Sequence, residues 1–186
     1  MKSALTGGGD RPSKFEVRMV IPGVAAGDAS AIEKLTMTCV GSSIPPMILG
    51  TVSVPYYGRE VKVAGDRVFP EWNLTVINDE DYLVRRSLER WSHGINTVRK
   101  NTTIAPFGSN PNTYKTDAFV YKQGKDGSLL RTYQLVGCWP SLVTPIDLNW
   151  GDRDRIVEYQ VTLQYDYWTN DSDILASDGS GASNIL

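Results

Sequence analysis

The chain has little of what enzymatic chemistry draws on. Its 186 residues hold one histidine, His93, and two cysteines, Cys39 and Cys138. A zinc site takes several His or Cys ligands at short spacings, and no such cluster is present. A Cys–His nucleophile needs a thiol beside His93, yet both cysteines lie inside apolar strand patterns. Two buried free thiols in a reducing compartment are the simpler reading. His93 falls beside a helix stop and reads as a helix-end or surface residue. No cofactor and no catalytic residue is expected.

Long apolar runs are missing too. No segment is long enough to cross a bilayer as a helix, so no membrane anchor is expected. The opening MKSALTGGGD has no apolar core of a signal peptide. The sequons at Asn73, Asn101 and Asn170 therefore carry little weight. An excess of positive charge is absent as well: Lys and Arg number 19 against 21 Asp and Glu, for a net charge of −2. Proteins that grip phosphates show a basic patch. This chain reads as one that can meet DNA without holding it. Its five tryptophans lack interleaved Lys and Arg, so they read as packing residues rather than stacking platforms. QGKDGS lacks the leading Gly and following Ser/Thr of a phosphate loop and sits between strands. The acids Glu80 and Asp81 suit a helix dipole. Asp152 and Asp154 suit a turn.

What is present is alternation. Hydrophobic residues make up 41% of the chain, enough for one packed domain. FEVRMVI, KLTMTCV and EWNLTVIN each alternate apolar and polar, the period of a strand with one buried face. In KLTMTCV the inward set is Leu35, Met37 and Cys39. Between Ile48 and Val63, two strand-like pieces flank PYYG and predict a protruding hairpin. DAFVYK and SLLRTYQLVGCW flank a turn at Asp126-Gly127, and PSLVTPIDLNW reads as a connection with a further strand fragment. One helix is expected after Asn78 or Asp79, with Val84, Leu88, Trp91 and Ile95 on one face and Gly94 as its stop. Residues 96–114 read as a long loop. The predicted fold is mainly β: an antiparallel sandwich or barrel with one flanking amphipathic helix. Residues 1–12 and 169–186 are expected to be flexible ends around a β domain at 13–168.

The longest alternation is DRIVEYQVTLQYDYW. Val157, Tyr159, Val161, Leu163, Tyr165 and Tyr167 point one way. Glu158, Gln160, Thr162, Gln164 and Asp166 point the other. That polar row carries acids and amides but no Lys or Arg. The alternation is equally consistent with a row facing bulk solvent or lying under the helix.

Two stretches carry a resemblance. REVKVAGDRVFPEWNLTVINDEDYLVRRSLERW (59–91) and LVGCWPSLVTPIDLNWGDRDRIVEYQVTLQYDYW (135–168) resemble the tail-tube proteins of contractile-tailed, T-even-like bacteriophages. That family shares its fold with the tube proteins (Hcp) of type VI secretion systems. The shared positions are Ala64-Gly65-Asp66-Arg67, Phe69, Trp72, Val76, Asn78-Asp79-Glu80, Gly137, Trp139-Pro140, Leu148, Trp150 and Glu158 to Trp168. The segment 96–114 and the stretch after Trp168 have no counterpart in the pattern.

The resemblance implies a structural protein of the virion tail, assembled in the host bacterial cytoplasm. Six copies form a ring whose strands join one inner barrel, and rings stack into a hollow tube inside a contractile sheath. Implied partners are other copies of the chain, the sheath, the baseplate and tail terminator proteins, and double-stranded DNA in transit. Glu158, Gln160, Thr162, Gln164 and Asp166 become lumen candidates, because a wall without cations does not retain phosphates. Ile48, Leu49, Tyr56, Tyr57 and Arg59 become inter-ring contact candidates. The alternative within this fold is a baseplate tube initiator or a secretion tube subunit that carries effector proteins. A β-sandwich binding module or enzyme is the reading outside it.

Overall fold

In a computed structural model, residues 9–23, 30–108, 110–151, 153 and 155–170 are described. Of the expected flexible ends at 1–12 and 169–186, residues 1–8 and 171–186 lie outside them, while Thr169 and Asn170 belong to a strand, Tyr167–Asn170. Nine strands and two α-helices are described. In chain order they are β1 (Phe15–Met19), α1 (Ser30–Thr38), β2 (Cys39–Ser42), β3 (Ile48–Tyr56), β4 (Arg59–Val68), β5 (Trp72–Ile77), α2 (Leu83–Ile95), β6 (Thr116–Gln123), β7 (Leu129–Val143), β8 (Glu158–Gln164) and β9 (Tyr167–Asn170). The mainly β, antiparallel expectation holds.

Seven strands form one sheet in the order β1-β6-β7-β8-β5-β2, with β9 also paired to β7; β3 and β4 form a sheet of their own. The 15-residue β7 is the spine. Along one edge it pairs with β6. Along the other it pairs first with β9, at Tyr133 to Val136, and then with β8, at Trp139 to Val143. Inward residues of both halves, among them Val17, Val120, Leu74, Val161 and Leu163, belong to one core. The sheet therefore curls over its own apolar face.

Four features differ from the sequence reading. KLTMTCV is not a strand: Ser30–Thr38 is helical and only Cys39 begins β2. Ala31 and Leu35, one helical turn apart, are both buried, while Met37 is 83% exposed. The Thr36 and Thr38 hydroxyls donate to the carbonyls of Ile32 and Lys34, the back-bonding by which a threonine inside a helix satisfies its hydroxyl. Second, β7 does not end at Trp139. It runs on through Pro140, which sits next to a register shift where a missing N–H is tolerated.

Third, the long last strand is two strands. Gly137 has φ +74, and a Cβ there would lie 2.4 Å from the Asp166 carboxylate. The chain bends at Tyr165–Asp166 opposite this point, held by the Asp166 N–H donating to the Val136 carbonyl at 2.9 Å. Lys115 grips the same carboxylate at 2.7 Å. Past the bend, Tyr167 is exposed rather than inward.

Fourth, the caps of α2 are not those expected. Asp81, not Asn78 or Asp79, accepts from the first helical N–H, that of Leu83, at 3.0 Å. Lys34 of α1 bridges to both Asp79 and Asp81, so the acids before α2 also join the two helices. Gly94 is no stop. It lies inside α2, where a Cβ would meet the Phe107 ring at 2.5 Å. This glycine lets the buried Phe107 of the 96–114 segment pack on the helix.

The buried face of α2 is as expected: Val84, Leu88 and Trp91 are buried and Ile95 packs against the core. The Trp91 indole N–H donates to the Tyr114 carbonyl at 2.9 Å. Trp91→Ala removes this bond and leaves a cavity, so it should lower unfolding free energy by about 3–5 kcal/mol in denaturant titration. A loss under about 1 kcal/mol would mean that the helix is peripheral to the fold.

Candidate assembly surfaces

Two surfaces carry the candidate residues. The first is the polar face of β5 and β8. Antiparallel register sets Asn73 opposite Thr162, Thr75 opposite Gln160 and Ile77 opposite Glu158. Residues directly opposite share a face, so Glu158, Gln160, Thr162 and Gln164 form a row beside Asn73 and Thr75. Neither strand brings Lys or Arg to that face. Glu158 and Gln160 are exposed and Gln164 is half-buried. Thr162 is buried, its hydroxyl donating to the Asn73 side chain at 2.7 Å. The fifth candidate, Asp166, lies apart from the row in the bend, paired with Lys115.

The second surface is the β3–β4 hairpin. Its turn is Tyr57-Gly58, both with positive φ, 45° and 78°. Two residues in that region make the type I′ turn that matches strand twist. Beyond the turn, Val52 pairs with Val63, Val54 with Val61, and Tyr56 with Arg59. These six share one face. Ser53 with Lys62 and Pro55 with Glu60 share the other. All of these side chains are exposed. The inter-ring candidates Ile48, Leu49, Tyr56, Tyr57 and Arg59 all lie on this arm and are exposed.

The root of the arm is tied down. The Trp72 indole N–H donates to the Ser43 carbonyl at 2.8 Å. The Trp168 indole N–H donates to the Pro46 carbonyl at 3.1 Å. Both bonds fix the segment that leads into β3. Among the described residues, the arm pairs only within itself. Its valines were missed in the sequence because VSVP and EVKV alternate just as a half-buried strand does.

The thiols are poorly placed for chemistry. Burial pushes the Cys39 thiol up to about 11. Burial, with the Asp117 carboxylate adding to it, pushes Cys138 up to about 12. Both are therefore protonated at neutral pH, and the thiolate is the reactive form. Among the described residues, no group of three or more His, Cys, Asp and Glu is placed to hold a metal ion.

The same architecture occurs in solved assemblies. A chain in the baseplate of the anti-feeding prophage matches with a TM-score of 0.62 and 11% identity, covering 87% of this chain and 95% of that one. A chain of an extracellular contractile injection system, in a sheath–tube complex in the extended state, matches with a TM-score of 0.56 and 15% identity, covering 89% and 93%. The fold class is that found in contractile injection machines. In sequence, the tail tube protein gp19 of Enterobacteria phage T4 is 29% identical over 159 residues, covering 85% of this chain and 90% of the relative. The tail tube protein of Serratia phage KSP90 is 28% identical over 159 residues, covering 86% and 87%. A family model described as phage tail tube protein matches residues 10–171, and the chain belongs to that family.

In the intact subunit the buried Cys138 thiol should resist a thiol-reactive dye at pH 8 and react at once on denaturation, with the half-buried Cys39 labelling first. Rapid labelling of Cys138 in the folded protein would contradict the burial described.

Proposed function

We propose that the chain is the repeating subunit of a phage tail tube, with a structural and not a catalytic role. Six copies close into a ring, as the family resemblance implies. Rings stack into a hollow tube enclosed by a contractile sheath, set on a baseplate and capped by a terminator. The assembly forms in the host cytoplasm and resides in the virion tail.

One observation carries this reading: the β3–β4 arm holds a valine face in open water. A two-stranded ribbon is marginal alone, and an exposed apolar patch of this kind marks an interaction site. Further copies of the chain would bury it. The polar face of β5 and β8 supports the same reading from the other side. A tube wall needs one face on the core and one face wet. DNA passes along a wet face without cations, because no phosphate contact forms there. Closing the sheet around a ring also removes its exposed edge strands β1 and β2.

Deleting residues 48–68 should leave a folded subunit that no longer stacks. The far-ultraviolet spectrum and the unfolding transition would report the fold, and negative-stain microscopy would report the tubes. Normal tubes from the deletion variant would overturn the role given to the arm.

The lumen assignment has a separate check. Gln160→Lys with Gln164→Lys adds two cations per subunit on the polar face, and lysine is long enough to reach solvent. Ejection of DNA from particles carrying this variant should slow at low salt and recover at high salt, since counterion release drives the retention. Intact tubes with unchanged ejection would move this face to the outside of the wall.

A further inference from the structure

The molecule has a second unpartnered apolar surface, and it is concave. Helix α1 stands beside the outer face of β1 and β6, and between them lies a groove of about 600 Å³. Met19, Val20, Ile32, Met37, Phe119 and Tyr121 line it. Met37 and Val20 are exposed, so nothing from the described chain covers the groove. Beside it, past Arg18 and Tyr121, a smaller recess of mixed polar and apolar lining reaches Gln123 and Leu129.

We propose that this groove receives the β3–β4 arm of a neighbouring copy. The inference rests on the tube reading and adds the surface on which the arm lands. The arm offers an apolar face without a partner among the described residues, and the groove is an apolar recess without one. Their charges also match. Arg59 stands on the valine face beside Tyr56 and is in no ion pair among the described residues. Glu33, on the α1 wall of the groove, is exposed and is likewise in no ion pair. The other rim charges, Glu16 and Arg18, already pair with each other. An arm laid with Val54 and Val61 on Met37 and Ile32 brings Arg59 to the Glu33 side.

Arm and groove are different surfaces of one chain. Their contact is therefore head-to-tail, and each copy that offers its arm still presents an empty groove. A heterologous contact of this kind repeats without end unless a rotation closes it. That is the geometry a growing stack requires.

The test uses two full-length variants, Met37→Cys and Val54→Cys, carrying different affinity tags. Mixed under assembly conditions and mildly oxidised, they should form a disulfide-linked heterodimer. Each alone should cross-link no more than wild type. Met37→Glu, at a position 83% exposed, should keep the wild-type melting temperature and slow tube elongation at least tenfold. Normal tubes without the heterodimer would overturn the groove and leave the tube reading standing, as would normal elongation of Met37→Glu. A heterodimer of Met37→Cys with a Trp150→Cys chain instead would also overturn it, by seating the exposed Leu148–Trp150 loop in the groove. Wild-type protein that stays monomeric at every concentration would overturn both readings.

Discussion

The structure depends on β7 hydrogen-bonding along both edges, to β6 over Leu129–Cys138 and to β9 and then β8 over Tyr133–Val143. One edge holds β6, and through it β1. The other holds β8 and β9, and through β8 the strands β5 and β2. Among the described residues, no other strand connects the two halves of the sheet in this way. The joint at Gly137 makes the dual pairing workable: the absent side chain leaves room for Asp166, whose carboxylate is held by Lys115 and whose N–H closes on Val136. Without that bend, one partner strand would run straight and the sheet could not fold over its core.

The helices depend on the same frame. Arg85 of α2 lies over the Tyr159 ring of β8 at 5.2 Å and donates to the Thr144 carbonyl, just past the end of β7, at 3.1 Å. Its remaining contact, with Glu89, runs along the helix. Lys34 then links α1 to the start of α2. The groove beside α1 thus takes its shape from bonds that begin at β8. The curled sheet and the helix pair share one core, whereas the β3–β4 arm pairs only within itself among the described residues.

Much of this was legible in the sequence, because period-two burial is a local signal. β1, β5 and β8, the buried face of α2 and the Asp126-Gly127 turn follow from spacing alone. The misreadings have physical causes. KLTMTCV alternates, yet Ala31 and Leu35 pack at helical spacing and the alternation of Met37 has no core to face. Pro140 is an ordinary strand terminator, and only the neighbouring register shift lets β7 pass through it. The bend at Tyr165–Asp166 leaves the inward and outward pattern intact up to Tyr165, so nothing local announces it. The hairpin was visible from Pro55-Tyr56-Tyr57-Gly58, but its isolation was not. Whether alternating valines meet a core or open water is settled by distant residues such as Trp72 and Trp168, which fix the arm's root.

The arm has a further consequence for the free subunit in the cell. Both of its long edges carry backbone N–H and C=O groups with no strand beside them, and one of its faces is a valine ladder. That combination invites strand-to-strand pairing between loose chains, in any register and in either direction. Lys62 and Glu60 on the opposite face oppose such stacking only weakly. Pools of unincorporated subunit are therefore hazardous in proportion to their concentration and lifetime. Burying the arm on assembly removes this hazard, because both its edges and its valine face then have partners.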